Sequence, residues 1–135
     1  MKICLNTSTI KPVPLLEKIK LVGEAGFAGI ELWLNDVWDF VAHGGEVSEI
    51  SRALDDHGLI VPSVIAMRQW GDFEGWEHQL VLDEARRRFA LGARLGAPYI
   101  VATPPLENPE TSHLAGRYKE LLQIGREEGI KPTFE

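Results

Sequence analysis

The chain has 135 residues, 44% apolar and 25% charged, enough for one folded domain over residues 1–135 with a core of its own. Its net charge of −6 argues against a nucleic-acid partner, because neutralising phosphates needs clustered Lys and Arg. The single cysteine, Cys4, excludes an intrachain disulfide, and no apolar run approaches the roughly 18 residues of a membrane span; a cytoplasmic protein without a membrane partner is expected.

Lys2 to Asn6 alternates in polarity and reads as a first strand. Pro12 and Pro14 mark the start of a helix whose apolar stripe is Leu15, Leu16, Ile19 and Val22. That helix is expected to stop at Gly26, and Gly29 to Leu34 reads as a second strand. The stretch NDVWDFVAHGG, 35–45, reads as a loop, followed by a helix over about 46–57 with Val47, Ile50 and Leu54 on its stripe. Ile60 to Ala66 is the third expected strand, and MRQWGDFEG its following loop. A long helix over about 76–95 carries Leu82, Ala85, Phe89 and Ala93, and Pro98 to Thr103 is the fourth strand. The loop PPLENPETS then leads to a helix with Leu114, Tyr118, Leu121 and Leu122 on one side, and Ile130 to Glu135 is the fifth strand.

The same unit recurs. Gly26, Gly58, Gly96 and Gly129 each end a helical pattern just before an apolar strand, at a spacing of roughly 35 residues. Nearly continuous apolar strands separated by helices require a parallel sheet covered by helices, either an open doubly wound sheet or part of a (β/α) barrel. The regular period favours the barrel, and the fold class expected is a partial (β/α) barrel of about five parallel strands alternating with four helices. Gly23, Gly26 and Gly29 lie where a helix ends and a strand begins, the reverse of a dinucleotide-binding turn.

Helix-to-strand connections are minimal and strand-to-helix connections are long, which places function at the carboxyl ends of the strands. Trp33, Trp38, Trp70 and Trp76 fall on that side beside Asn35, Asp36, Arg68, Gln69 and Asp72, a mixture that suits a sugar: its C–H faces pack on rings while its hydroxyls take hydrogen bonds. Packing at the barrel end is the competing use of these rings. Glu31 lies mid-strand with Trp33 on the interior side, where a carboxylate must be paired or hydrogen-bonded, so neighbouring strands are expected to satisfy it. Glu135 is in phase with Lys131 and Thr133, pointing toward the barrel mouth as an oxygen ligand of Mg, Mn or Zn would. Its terminal position makes a frayed end the competing reading. The histidines, His43, His57, His78 and His113, form no ligand motif and are expected at the surface, and so is the basic run Arg86-Arg87-Arg88.

The combination LNTSTI, AGFAGIELW, LGAPYIVATPP and GIKPTFE resembles the xylose isomerase-like barrel superfamily, the sugar phosphate isomerase/epimerase group. The resemblance covers essentially the whole sequence but about five of eight strands, implying that roughly three strands of a full barrel lie outside it. It implies a divalent ion (Mn, Mg, Zn or Co) held by a Glu ending strand five and by residues on strands six to eight. Glu135 matches the first of these, as ligand and catalytic carboxylate, and the others have no counterpart here. Asn6, Glu31, Trp33, Asn35, Trp70 and Thr103 are then expected to shape the site for a small sugar or sugar phosphate, with proton transfer next to a carbonyl as the reaction. A dehydratase of the inosose or dehydroshikimate type is the alternative within the group. A non-catalytic truncated barrel that binds or self-associates is the alternative outside it, and a homodimer is one way to cover the open interior. The acidic balance disfavours the abasic-site endonuclease relatives.

Overall fold

The computed structural model describes residues 1–106 and 110–135; residues 107–109, within the expected loop PPLENPETS, lie outside the described residues. Five strands, β1 (Cys4–Asn6), β2 (Gly29–Trp33), β3 (Val64–Met67), β4 (Tyr99–Ala102) and β5 (Lys131–Phe134), pair in parallel in chain order. Leu32 stands beside Val64, Val64 beside Ile100 and Ile100 beside Pro132. Order without reversal is barrel winding; a doubly wound sheet would reverse direction partway.

Alternation along the strands separates two faces. Ile30, Leu32, Val64, Ile100 and Ala102 are fully buried under the helices, while Glu31, Trp33, Ile65, Val101 and Thr133 are half-buried on the opposite, interior face. Among the described residues, β1 and β5 each pair on one side only, so the sheet is open and Tyr99 on its interior face is 43% exposed.

The helices are α1 (Leu15–Glu24), α2 (Leu34–Ala42), α3 (Val47–Asp56), α4 (Gly75–Arg94) and α5 (Thr111–Glu128), five where four were expected. The extra one, α2, occupies most of the stretch read as a loop and begins directly after β2. Leu34, Val37, Trp38 and Val41 recur at helical spacing, and burial of Leu34 and Val37 to 0% exposure holds that stripe on the core. The third strand is also shorter than expected: Ile60 makes one isolated bridge to Gly29 before the chain reaches β3.

The glycine period has a common backbone cause. Gly26, Gly58, Gly96 and Gly129 have φ of +81°, +62°, +78° and +77°. The next amide bonds back to the last helical turn each time: Phe27 to Val22, Leu59 to Leu54, Ala97 to Gly92 and Ile130 to Gly125, at 2.9–3.2 Å. This reversal turns the chain from helix to strand in about three residues and drops Leu59, Ala97 and Ile130 into the core.

Candidate functional site

A polar line crosses the interior face below the carboxyl ends, from the end of β1 through the middle of β2 to the residue before β3. Asn6 pairs with Glu31 in register, and Asn6 Nδ2 donates to Glu31 Oε2 at 2.5 Å. On the other side Ser63 Oγ donates to Glu31 Oε1 at 2.5 Å. Both carboxylate oxygens therefore have a donor from a neighbouring segment, which is what a half-buried charge in a sheet requires. Asn6 also accepts the Ser8 amide at 2.8 Å and so starts the 3-10 turn Thr7–Ile10. Thr7, fully buried in that turn, accepts the Trp33 amide at 3.1 Å through its Oγ1. The end of β2 is thereby tied to the loop after β1.

Above this line stands Trp33, half-buried, with Lys11 Nζ 4.7 Å and Arg68 Cζ 5.8 Å from its ring centroid. Its Nε1 is buried and has no hydrogen-bond partner among the described residues. Asn35 lies in the first turn of α2, exposed, with its Oδ1 accepting from Arg88 at 3.3 Å. Arg88 is not the solvated residue expected of the basic run: its side chain is 16% exposed, lies 4.3 Å from the Trp38 ring centroid, and donates to Glu84 and the Ala66 carbonyl. Burial pushes its pKa down; Glu84 partly offsets this, and the nearby Arg68 lowers it further.

Thr103 and Trp70 meet at the end of β4. Trp70 Nε1 donates to the Thr103 carbonyl at 2.7 Å, and its ring packs edge-on against Tyr118 and Phe134. At 2% exposure Trp70 offers no open face. It supports the loops from beneath instead of lining the mouth, because the ring found an apolar floor on α5 and β5. Thr103 remains at the surface of a cleft of about 490 Å³ with Arg68, Gln69, Pro104 and Leu106. Of the other tryptophans, Trp38 belongs to α2 and Trp76, 71% exposed, to α4, so Trp33 is the one of the four on the interior sheet face.

Glu135 is exposed, and its amide bonds to Ala102 at 3.3 Å, extending the β4–β5 pairing by one step. That phase puts it on the side of Lys131 and Thr133, at the carboxyl end beside Thr103. Among the described residues no group of three or more His, Cys, Asp or Glu converges to hold a metal. One carboxylate is not an ion site, so the residues present do not by themselves fit the divalent ion the resemblance implies. His78 departs from its expected surface position. It is 3% exposed and bonded to Glu120 at 2.8 Å, while His43 and His57 are exposed and His113 half-buried.

Sequence reasoning missed Ser63, Lys11 and the buried pair Lys18–Asp36. Ser63 is two residues before Ile65, so the two-residue period carried its signal. Lys11 had none, since its position depends on the 3-10 turn.

No helix among the described residues is long and apolar enough to cross a membrane. The chain is 27% identical over 129 residues to 3-dehydroshikimate dehydratase of Pseudomonas aeruginosa, covering 90% of this chain and 19% of that protein. Among solved structures it superposes on the IOLI protein, described with a bound zinc atom, with a TM-score of 0.85 at 18% identity, covering 99% of this chain and 51% of that one. On 3-keto-D-glucoside 4-epimerase from E. coli the TM-score is 0.76 at 21% identity, covering 99% and 55%. The chain thus spans about a fifth to a half of the length of these proteins. The family model for the xylose isomerase-like TIM barrel matches residues 19–135, and the chain belongs to that family.

Proposed function

We propose that the chain is the β1–β5 portion of a metal-dependent isomerase or epimerase that moves a proton next to a carbonyl of a sugar or sugar phosphate. The observation that carries this reading is Trp33, an aromatic face at the carboxyl end of β2, with the Asn6–Glu31–Ser63 line as a fixed polar layer beneath it. Asn6 and Ser63 hold the Glu31 carboxylate in place. Trp33 supplies an apolar face for ring C–H groups, and Asn35 and Thr103 supply polar atoms for hydroxyls. Glu135 is the carboxylate at the end of β5, suited to take a proton or to give one oxygen to an ion. A divalent ion would need further donors beyond those described here.

A dehydratase is the second reading, favoured by the relative that matches 90% of the chain. Incubating the chain in D2O with Mn2+, and separately with 3-dehydroshikimate or a 3-keto sugar, tests both. Deuterium appearing on the carbon next to the carbonyl supports isomerisation or epimerisation, and loss of water supports the dehydratase. Glu135→Gln should lower either rate about 100-fold. Neither reaction with either substrate, or a fully active Glu135→Gln, would refute the assignment.

A further inference from the structure

We propose that Lys11 and Arg68, set around the Trp33 ring, form a subsite for an oxyanion group of the substrate, a carboxylate or a phosphate. This rests on reading the strand ends as the substrate site, and it adds a charge class to that reading. The two cations come from different loops: Lys11 follows the 3-10 turn after β1, and Arg68 follows β3. Their heads lie 4.7 and 5.8 Å from the centroid of one ring, the only tryptophan on the interior sheet face.

Neither cation is ion-paired among the described residues, although Lys11 borders a cleft that also holds Asp36 and Asp39. The net charge is −6, yet among the described residues neither Lys11 nor Arg68 has a carboxylate within 4.0 Å. Arg68 also stands close enough to Arg88 to disfavour its charge. Asp36 is taken up by Lys18, so the charges of Lys11 and Arg68 stay unpaired, and a bound anion can pair them. Both heads are exposed and rest against a π face, a weaker contact than a charge-assisted hydrogen bond, so an incoming oxyanion can recruit them.

The backbone at Arg68 points the same way. Gln69 has a left-handed φ of +60°, unusual for a side chain of its size, and Arg68 and Gln69 border the cleft of about 490 Å³ that reaches Thr103. A substrate seated on Trp33 with its hydroxyls toward Thr103 would present its charged group between the two loops. Lys11 and Arg68 then select the anionic substrate over a neutral one, and Trp33 keeps both heads near the mouth when the site is empty.

The test is a metal-free NMR titration of the chain, following the Trp33 indole resonance assigned through Trp33→Phe. Shikimate, inorganic phosphate and neutral myo-inositol are the probes. Shikimate or phosphate should shift the resonance saturably while inositol does not, and whichever binds more tightly distinguishes carboxylate from phosphate as the source. Lys11→Gln and Arg68→Gln should each weaken binding at least about tenfold, with Lys11→Arg and Arg68→Lys close to the unaltered chain. The proposal is overturned if neither anion shifts the resonance, if inositol shifts it as much, or if both glutamine variants bind as the unaltered chain does. Anion binding without turnover would count against the proposed reaction alone, and turnover on a neutral sugar without anion binding against this subsite alone.

Discussion

Lys18 Nζ stands 2.6 Å from Asp36 Oδ2, with the lysine side chain 2% exposed and the aspartate 27%. The pair joins α1 to α2, the helix that follows β2 without a loop, and so fixes the segment carrying Asn35 beside the mouth. Removing one partner leaves the other charged in a mostly dry place, a loss of about 3–5 kcal/mol for a fully buried pair. Partial exposure of Asp36 reduces that, and Asp36→Ala is expected to cost about 2–3 kcal/mol in urea unfolding. The exposed Lys20–Glu24 pair, 3.8 Å apart, is the control: Lys20→Ala should change stability by less than about 0.5 kcal/mol. Equal effects of the two substitutions would show that the buried pair is no stronger than a surface one.

Glu31 joins Asn6 and Ser63 into one network, so losses there should not add. Ser63→Ala removes one donor from a half-buried carboxylate and should cost about 1–3 kcal/mol. In a Glu31→Ala background the same change should cost under about 0.5 kcal/mol, because the serine then has no carboxylate to serve. A double-mutant cycle on Asn6 and Glu31 should show the same coupling across β1 and β2. Additive losses would mean that the three side chains act independently.

How far the sequence specified this arrangement can be followed residue by residue. The four glycines that end helices were legible because only a left-handed backbone lets a helix turn into a strand so abruptly, and glycine adopts it without a side-chain penalty. Glu31 was legible because the two-residue period of β2 set it against Ile30 and Leu32. The helix α2 was missed although Leu34, Val37, Trp38 and Val41 announced it; a run following a strand with no turn residue was read as the loop that long strand-to-helix connections suggested. Trp70 illustrates a different gap. Whether a loop tryptophan faces a ligand or the core depends on what lies beneath, and Tyr118 and Phe134 are distant in sequence. Arg68 was legible on the functional side, but its approach with Lys11 to the Trp33 ring was not, since the two loops reach that ring only after β1, β2 and β3 align.

Gly29 and Gly96 should tolerate alanine differently. A Cβ at Gly29 would meet the Ile60 carbonyl oxygen at 2.6 Å and Cys4 Sγ at 2.9 Å, and that carbonyl is held by the Ile30 amide at 2.9 Å. The sheet must shift to admit it, and Gly29→Ala is expected to cost about 2–3 kcal/mol. At Gly96 nothing lies within 4 Å, so only the strain of φ +78° counts. That strain is about 1–2 kcal/mol, reduced by the lower backbone entropy of alanine in the unfolded chain. Thermal unfolding of both variants decides it, and a larger loss for Gly96→Ala would show that helix ends limit stability more than the β1–β2–Ile60 contact does.

Trp70 should matter for the mouth although it does not face it. Its Nε1 bond to the Thr103 carbonyl and its ring contacts with Tyr118 and Phe134 lock the loop after β3 onto the ends of β4 and β5. Asp72 adds a second tie, accepting the Leu106 amide at 2.9 Å. Trp70→Phe keeps most of the apolar contact but leaves the Thr103 carbonyl without this donor, at a cost of about 1–2 kcal/mol, whereas Trp70→Ala opens a cavity and should cost about 3–5 kcal/mol. Hydrogen exchange of the amides of residues 68–73 separates support from mere packing. If the indole bond anchors the loop, Trp70→Phe accelerates exchange there while leaving α1 and α3 protected. Uniform acceleration across all helices would instead mean that the indole contributes only to global stability, and the orientation of Arg68 toward Trp33 would then rest on the loop backbone alone.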